Sequence, residues 1–456
     1  MEPRIIERAD HPISRRDIDP NVLKVLYRLI NAGHLAYLVG GSVRDLMVGR
    51  RPKDFDVATS AHPQQVRDLF RNSRLIGKRF RLVHVFFGPQ NIEVATFRRR
   101  SEEISATDDP LIRLDNTFGT PEEDAFRRDF TVNALFYDPA TFHVIDYAGG
   151  VDDLRAGLIR TIGEPEIRMR EDPVRMMRAV RFAAKLNFEI EPATRAAIET
   201  HRHDLLKASM PRLVEETYRT LGQAEAGRAT CLMEELGLLE PLLPFLSEHL
   251  KGHTGERAEA PTLLHMGALG RVIEEGFAAD HAFVLGAMFL DLVHTRTKSE
   301  ARDDFDLLGE LRLRGFARGD TERMRLLTDA FTHLAAPSRR TRRLARRPYF
   351  ADARRLFEMV APSYGIEVGV LHRFLDNPDA FFNQSHGQSE SVPGGTQRRR
   401  KRRRRRSRRP RHPISGVSHS ASTGDGGAAT SHQNEALSTA PGGEGGFSGE
   451  PPPRRD

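Results

Sequence analysis

The sequence predicts an α+β protein with a mixed-sheet head, an all-helical neck and body, and a disordered basic C-terminal tail. Strand-like and helix-like apolar patterns alternate as far as about residue 163, which favours a layered head. From residue 166 strand patterns nearly vanish, and Leu/Ala/Arg-rich helical segments continue to about residue 385. The composition then changes to an arginine block and Ser/Gly/Ala/Pro-rich sequence, which has little to bury. We divide the chain into a flexible N-terminus (1–20), a head (21–163), a neck (164–225), a body (226–385) and a tail (386–456).

The head begins with a helix and a buried strand. Residues 21–33 have apolar side chains at helical spacing and end in glycine, and 35–41 is a short apolar run that ends in a glycine pair. The segments that follow predict a helix at 42–49, a strand at 53–59, a helix at 62–71 and a hairpin made of 81–88 and 91–99.

Composition excludes two classes of protein. The single cysteine, Cys231, cannot form a disulfide within the chain, so a disulfide-stabilised secreted protein is excluded. No apolar run reaches the roughly 20 residues that span a bilayer, and the N-terminus has no apolar signal segment. We therefore expect a cytoplasmic protein without membrane contact.

The net charge of +7 is concentrated in the tail. The tail has 14 basic and six acidic residues, so the rest of the chain is close to neutral. A block this basic predicts RNA binding through residues such as Arg402, Arg404 and Arg406. The alternatives are a solubilising extension and a polyanion-binding tail with no catalytic role.

Asp54 and Asp56 are the candidate catalytic pair. Residues i and i+2 of a strand project from one face, so both carboxylates can share divalent cations. Mg²⁺ prefers such oxygen ligands and keeps water and substrate phosphates in its shell. Two ions held there would activate an attacking 3′-hydroxyl and neutralise departing pyrophosphate. The alternative is a solvated strand end with no chemistry.

A glycine pair precedes the two carboxylates. Gly40 and Gly41 let backbone N–H groups approach a triphosphate without side-chain obstruction. Ser42 and Arg44 add hydroxyl and guanidinium contacts to phosphate oxygens. A glycine pair can also be a simple turn, but the order strand, glycine pair, helix, strand and paired carboxylates favours nucleotidyl transfer.

Residues 40–45 (GGSVRD) and 53–59 (KDFDVAT) resemble the class II nucleotidyltransferases of the polymerase-beta superfamily, which comprise bacterial poly(A) polymerases and CCA-adding enzymes. Further motifs of that family follow at 127–138, 145–163 and 170–186, and the resemblance covers about 35–225. It implies a polymerase-beta-like head. We expect the helical neck to bind nucleotide and RNA, and the helical body to bind RNA. The resemblance also implies that Asp54 and Asp56 are the metal ligands.

The resemblance makes Asp129 the third active-site carboxylate, with Arg128 and Asn133 touching the sugar or phosphates of the nucleotide. Asp129 can instead be the N-cap of a helix over 130–137. Glu93 is a competing third carboxylate because its strand is expected beside the Asp54/Asp56 strand, although it could equally pair with the basic run 98–100.

By the same resemblance, Asp172 and Arg175 recognise the incoming base. A carboxylate accepts from an exocyclic amine while a guanidinium donates to the neighbouring ring nitrogen, which selects A or C against U or G. Arg178 and Arg181 continue the row toward the nucleotide. Ordinary helix rules instead make Asp172 an N-cap and the arginines a solvated basic face.

The segment 75–88 favours poly(A) addition over CCA addition. It resembles the corresponding segment of bacterial poly(A) polymerases, and Lys78, Arg79 and Arg81 would position the primer or triphosphate; the alternative is a hairpin with exposed basic residues. We expect template-independent polyadenylation of RNA 3′ ends from ATP with Mg²⁺, a role in mRNA processing and decay, and RNA-decay machinery as a candidate partner. The alternatives are CCA addition to tRNA and an RNA-binding protein with a decayed transferase head.

Overall fold

The computed structural model describes residues 2–77, 82–99, 118–252, 260–298, 306–378 and 381. All of them belong to one compact unit, Met1–Ser389, while a second unit, Glu390–Asp456, falls wholly outside the described residues. Six of the predicted RNA-binding residues also lie outside the described residues: Lys78, Arg79, Arg81, Arg402, Arg404 and Arg406.

The head is built on one eight-stranded mixed sheet, as the sequence predicts. Its strands are β1 (Arg4–Ile6), β2 (Ala36–Val39), β3 (Asp56–Thr59), β4 (Ser73–Ile76), β5 (Leu82–Phe87), β6 (Gln90–Thr96), β7 (Leu135–Tyr137) and β8 (Val144–Asp146). They lie in the order β1-β8-β7-β2-β3-β6-β5-β4. Only the β3–β6 pair of this sheet is parallel, and it places Asp56 directly beside Glu93.

Within the described residues of the head, five α-helices accompany this sheet: α1 (Pro20–Asn31), α2 (Gly41–Met47), α3 (Pro63–Leu69), α4 (Pro121–Phe126) and α5 (Gly150–Ala156). The first illustrates how the sequence specifies them. Asp19 caps α1 by accepting from the backbone N–H of Asn21, and Pro20 occupies the first helical position. Its apolar residues recur at helical spacing and are buried: Val22, Val25, Leu26 and Leu29. Burying side chains of this size stabilises the head by about 1.5–3 kcal/mol each.

The neck and body are helical, as predicted. Their helices are α6 (Pro165–Glu171), α7 (Val174–Leu186), α8 (Pro192–His201), α9 (Met210–Leu221), α10 (Ala226–Glu235), α11 (Leu239–Leu242), α12 (Pro244–Lys251), α13 (Pro261–Glu274), α14 (His281–Lys298), α15 (Leu307–Leu313), α16 (Arg318–Ala335), α17 (Arg339–Leu344), α18 (Phe350–Val360) and α19 (Val368–Asp376). A parallel pair of two-residue strands, β9 (Leu158–Ile159) and β10 (Glu189–Ile190), joins the end of the head to the neck. None of the described helices is long and apolar enough to cross a membrane.

The helix predicted over 130–137 is wrong. Residues Thr131–Asn133 form a single 3₁₀ turn, and the chain then enters β7. Tertiary packing decides the conformation of this segment. Strand β7 is wholly buried between β2 and β8, and its Phe and Tyr side chains are of a type that favours such a sheet position. Asp129 therefore caps no α-helix.

Three other boundaries differ from the sequence-based prediction. The segment 1–20, predicted as a flexible N-terminus, belongs to the head, because Arg4–Ile6 form β1 and pair with β8 and because Ile13 and Ile18 are buried in the core. Helix α7 begins at Val174, and Asp172 ends α6 without capping α7 by its side chain. Strand β3 begins only at Asp56, so Asp54 precedes the strand and its orientation is not fixed by the alternation of strand residues.

Candidate active site

A single cavity of about 560 Å³ brings the predicted site residues together. Its lining includes all thirteen residues predicted for catalysis or nucleotide binding: Gly40, Gly41, Ser42, Arg44, Asp54, Asp56, Arg128, Asp129, Asn133, Asp172, Arg175, Arg178 and Arg181. These residues come from separate motifs on α2, β3, the 3₁₀ turn Thr131–Asn133, α7 and the segments that connect such elements. We call this space the nucleotide cavity.

Six further lining residues escaped the sequence analysis: Asp45, Lys53, Arg127, Phe182, Lys185 and Arg212. Lys185 follows Arg181 by four residues on α7, so helical spacing alone could have found it. Arg212 lies on α9 without any sequence signal, because only the packing of α9 beside α7 brings it to the cavity. The lining holds nine basic and five acidic residues, a balance that suits a polyanion lying beside a metal site.

The glycine pair turns the chain from β2 into α2. Gly40 has a φ of +69°, which glycine adopts at little cost. A Cβ at this position would lie 3.0 Å from an Nη1 of Arg128. The Ser42 hydroxyl is buried and donates to the Val39 carbonyl at 2.9 Å, so in this structure it ties α2 to the end of β2.

Asp56 and Glu93 form an acidic pair on neighbouring strands. Removal from water and, next, the negative charge of Glu93 together raise the pKa of Asp56 to about 6. Among the residues that the structure describes, the ion-pair partner of Glu93 is His84, whose Nε2 lies 3.3 Å from Glu93 Oε1; Arg100 of the basic run lies outside them. A cation bound beside the two carboxylates would relieve their mutual repulsion.

These oxygen ligands fit Mg²⁺ but do not enclose it. In the part of the chain that the structure describes, no group of three His, Cys, Asp or Glu side chains is arranged to hold a metal ion. Asp54 and Asp56 both remain exposed to solvent at the cavity. A hard cation bound there would therefore complete its shell with water and substrate phosphates, which is the usual mode for Mg²⁺.

Asp129 has a different environment. Its Oδ2 accepts bonds from Nε and Nη2 of Arg178 at 2.8 and 2.5 Å, and its Oδ1 accepts from Asn133 Nδ2 at 3.1 Å. Burial would raise the pKa of Asp129, but the Arg178 charge and these hydrogen bonds outweigh it and hold the pKa at about 2. The carboxylate is charged, yet its oxygens are already engaged by protein donors.

A polar network links Asp129 to the glycine turn. Asn133 Oδ1 accepts from Arg44 Nη1 at 2.6 Å, while Arg44 Nε and Nη2 donate to Asp45 Oδ1. Arg128 donates through Nε and Nη2 to Asp124 Oδ2. Both predicted phosphate-binding arginines are thus held by acidic partners, so their orientation is fixed before any ligand arrives.

The basic face of α7 lines the cavity, so the solvated-face interpretation of its arginines is wrong. Arg175 is buried and donates from Nη1 to the Arg168 carbonyl at 2.7 Å, and Arg181 pairs with Glu216 of α9. Phe182 gathers three guanidinium groups over its ring at 4.4 to 5.4 Å from the ring centre: Arg44, Arg178 and Arg181. The opposite face of α7 packs against the core, so these arginines face the cavity.

The two residues predicted to read the base are both engaged. Asp172 Oδ2 accepts from Arg212 Nη2 at 2.8 Å, and this ion pair is partly exposed. Arg175 also contacts Glu171 at 3.1 Å. A base that bonds Asp172 would therefore compete with Arg212 for the carboxylate.

A second polar cluster lies in the helical body. His265 and Asp291 are buried in the core; Asp291 accepts from the Tyr364 hydroxyl at 2.8 Å and contacts His249, and His265 contacts Ser363. The ring of His294 packs edge-on against Tyr364. The described residues of the body offer no metal-binding group, so nothing here indicates a second catalytic centre.

Comparison with known proteins supports the same assignment of regions. Residues 36–160 match the family model described as Poly A polymerase head domain, and residues 187–250 match the one described as Probable RNA and SrmB- binding site of polymerase A. Poly(A) polymerase I of Salmonella typhi is 48% identical over 292 residues, and that of Haemophilus influenzae is 39% identical over 292 residues. These matches cover 62% of this chain and 63% and 65% of the relatives. The chain thus spans less than two thirds of their length.

CCA-adding enzymes are also similar to this chain. The CCA-adding enzyme of Bacillus velezensis is 40% identical over 220 residues, which are 48% of this chain and 54% of that protein. The crystal structure of the Bacillus stearothermophilus CCA-adding enzyme in complex with CTP superimposes with a TM-score of 0.60 at 27% identity, covering 82% of this chain and 90% of that one. Residues 36–160 therefore match a poly A polymerase head domain, in a chain that resembles bacterial poly(A) polymerases and, over a shorter region, the CCA-adding enzymes.

Proposed function

We propose that this protein is a polynucleotide adenylyltransferase that adds AMP from ATP to RNA 3′-hydroxyls without a template and releases pyrophosphate. One observation carries the choice of product. The similarity to poly(A) polymerases reaches 48% identity over 62% of the chain, against 40% over 48% for the CCA-adding enzyme of Bacillus velezensis. CCA addition to tRNA is the alternative, because the two groups share the head.

For the proposed reaction, Asp54 and Asp56 would hold the metal, and Glu93 would be the third active-site carboxylate beside them. Glu93 is preferred to Asp129 because it lies beside Asp56 in register and repels it, whereas Asp129 is neutralised by Arg178. Mg²⁺ bound there would lower the pKa of the attacking 3′-hydroxyl and offset the charge of the leaving pyrophosphate.

The triphosphate of ATP is proposed to lie between the glycine turn and α7. Gly40 and Gly41 leave the backbone accessible, and the cavity-facing cations Arg44, Arg128 and Arg178 are already oriented by acidic partners. Preorganised donors add little reorganisation cost when the ligand binds, so they stabilise a triphosphate better than mobile lysines would. Arg181 and Lys185 extend the same positive lining.

The adenine base is proposed to contact Asp172 and Arg175. The N6 amine would donate to Asp172 in place of Arg212, and Arg175 would donate to N1. Uracil and guanine present the opposite pattern of donors and acceptors and would leave buried groups unpaired. This pair therefore selects against U and G, and the choice of A over C depends on other contacts.

RNA is proposed to bind the helical neck and body and the arginine block of the tail. The match of residues 187–250 to an RNA-binding family supports the first assignment, and twelve basic residues between 398 and 411 support the second. A cytoplasmic location, a role in mRNA processing and decay, and contact with RNA-decay machinery are part of the same proposal.

Two matched incubations distinguish the candidate functions. The protein is offered an RNA without tRNA structure with ATP alone in the first, and tRNA with CTP and ATP in the second, and the products are sized on a denaturing gel. Polyadenylation gives long tracts of A in the first. Extension of tRNA alone, by two C residues and one A, would instead establish the CCA-adding activity. The double variant Asp54→Ala/Asp56→Ala should still bind RNA but add no nucleotide, because it lacks the proposed metal ligands. A protein that only binds RNA would not need these carboxylates.

A further inference from the structure

A second cavity, of about 650 Å³, opens beside the catalytic carboxylates between the segment 12–20 and the loop 49–53. We call it the basic groove. We propose that the 3′-terminal segment of single-stranded RNA lies in the basic groove, with its phosphates against Arg16, Arg51 and Lys53. This inference rests on the proposed function, because it identifies where the acceptor strand of that reaction binds.

The basic groove is continuous with the catalytic site. A smaller cavity of about 320 Å³ lies between the two and is lined by Asp54, Asp56 and Glu93 among others. It shares Lys53 and Phe55 with the basic groove, and Lys53, Asp54 and Asp56 with the nucleotide cavity. A strand in the groove can therefore reach both carboxylates without passing through the nucleotide cavity.

The geometry of the reaction calls for such a second approach. In an in-line displacement at phosphorus, the attacking and leaving oxygens lie on opposite sides of the transferred group. If the triphosphate occupies the nucleotide cavity, the attacking 3′-hydroxyl must arrive at Asp54 and Asp56 from another side. The basic groove provides that side, and the acidic cluster of Asp54, Asp56 and Glu93 lies at the junction.

The cations of the basic groove differ from those of the nucleotide cavity. Arg16, Arg51 and Lys53 are exposed, and none of them forms an ion pair with any residue that the structure describes. The nucleotide-cavity arginines, by contrast, are held by acidic side chains. Free cations along an open groove suit a flexible polyanion that must shift by one nucleotide after each addition.

The basic groove is lined by four cations, Arg16, Arg50, Arg51 and Lys53, and by two carboxylates, so positive charge is in excess. Asp19 accepts from the backbone N–H of Asn21 at 2.7 Å and from Gln90 Nε2 at 3.0 Å, so it is committed to capping α1 and to the sheet. Asp17 is the other lining carboxylate. Phe55 contributes a partly exposed ring, and aromatic rings bind bases of any sequence by stacking. Charge and shape together favour single-stranded RNA over an acidic protein.

The test compares steady-state kinetics of the full-length chain and the double variant Arg16→Ala/Arg51→Ala on an oligo(A) primer. Each lost charge-assisted phosphate contact weakens primer binding, so we expect the KM for primer to rise about tenfold while the KM for ATP and kcat stay within twofold. Arg16→Lys/Arg51→Lys should retain most of the affinity because it keeps both charges. Arg67→Ala removes an exposed arginine from α3, outside all three cavities, and should change nothing.

Two outcomes overturn the basic groove as the acceptor site. One is an unchanged KM for primer in the double variant; the other is a rise in the KM for ATP instead. A wild-type chain that adds no AMP to oligo(A) would refute the proposed function, and photo-crosslinking then decides about the groove. RNA carrying 4-thiouridine at its 3′ end should crosslink within 12–20 or 49–55, and crosslinks confined to other segments would refute the inference.

Discussion

At the scale of single residues, Gly40 combines a backbone requirement with a steric one. Gly40 and Gly49 have nearly the same φ, +69° and +70°, but a Cβ at Gly49 would meet nothing within 4 Å. Substitutions at Gly40 and Gly49 can therefore be compared. Both meet a positive φ, but only a side chain at position 40 also displaces Arg128. No other residue type satisfies both conditions at position 40.

We expect Gly49→Ala to lower the free energy of unfolding by about 1–2 kcal/mol, because a side chain disfavours positive φ. Gly40→Ala should lower it by more, because the ψ of Gly40, −134°, places it outside the left-handed helical region. Only Gly40→Ala should also raise the KM for ATP, since its Cβ displaces an Arg128 guanidinium that lines the nucleotide cavity. Thermal unfolding and nucleotide kinetics measure the two effects. Equal loss of activity in both variants would show that the backbone strain alone matters.

A pair of substitutions tests whether Glu93 or Asp129 is the third active-site carboxylate. Glu93→Gln should lower kcat by at least about a hundredfold, because a metal ligand or its neighbour loses its charge, and should change the unfolding temperature little. Asp129→Asn leaves the Arg178 charge without its partner in a largely buried pair and should cost about 3–5 kcal/mol of stability. If Glu93→Gln stays active while metal binding is lost in Asp129→Asn, Asp129 is the third carboxylate after all.

At the scale of elements, the sequence predicts what depends on local pattern and fails where packing decides. Helix α1 and the hairpin of β5 and β6 follow from spacing and turn residues, and the mixed sheet follows from their alternation. The segment 130–137 has helical spacing, yet its second half becomes a fully buried strand because it pairs on both edges. Arg212 reaches the cavity through the packing of α9 on α7, which no local pattern reports.

The contact between α7 and α9 gives a test of base recognition. Asp172→Ala should lower the discrimination between ATP and UTP by about ten- to a hundredfold, because the acceptor for the N6 amine is lost. Arg212→Ala removes only the present partner of Asp172 and should leave discrimination intact or improve it. The discrimination of each variant is measured as the ratio of kcat/KM for ATP to kcat/KM for UTP. Equal discrimination in Asp172→Ala and wild type would exclude Asp172 as a reader of the base.

The buried cluster between α13 and α14 should make stability depend on pH. Desolvation lowers the pKa of His265 from 6.5 to about 4. Below pH 6.5 the unfolded chain therefore binds a proton that the folded chain resists, and stability falls as the pH drops toward 4 by up to about 3 kcal/mol. Urea unfolding at pH 7 and pH 4.5 should show a smaller loss in His265→Gln than in wild type. His203→Gln, which replaces an exposed histidine, serves as the control. If His265→Gln loses as much stability between pH 7 and pH 4.5 as the wild type does, His265 is not the source of the pH dependence.

At the scale of the whole molecule, the proposed function assigns binding and chemistry to different kinds of positive charge. The nucleotide cavity uses arginines fixed by acidic partners, the basic groove uses exposed unpaired cations, and the tail contributes twelve basic residues within 398–411. Fixed charges suit a ligand with one geometry, and free charges suit a polymer that moves. Affinity for RNA and turnover of ATP should therefore respond separately to mutation.

Deletion of the tail tests this separation. Without residues 386–456 the KM for RNA should rise and its dependence on salt should flatten, because six neutralised phosphates alone give a log–log slope of roughly −4 on a single strand. Turnover at saturating RNA and the KM for ATP should barely change, since the nucleotide cavity lies entirely within the first unit. Deletion of 412–456 keeps the arginine block and should behave like the wild type. An unchanged salt slope after the longer deletion would mean that the tail does not tether RNA and that the neck, body and basic groove carry that affinity themselves.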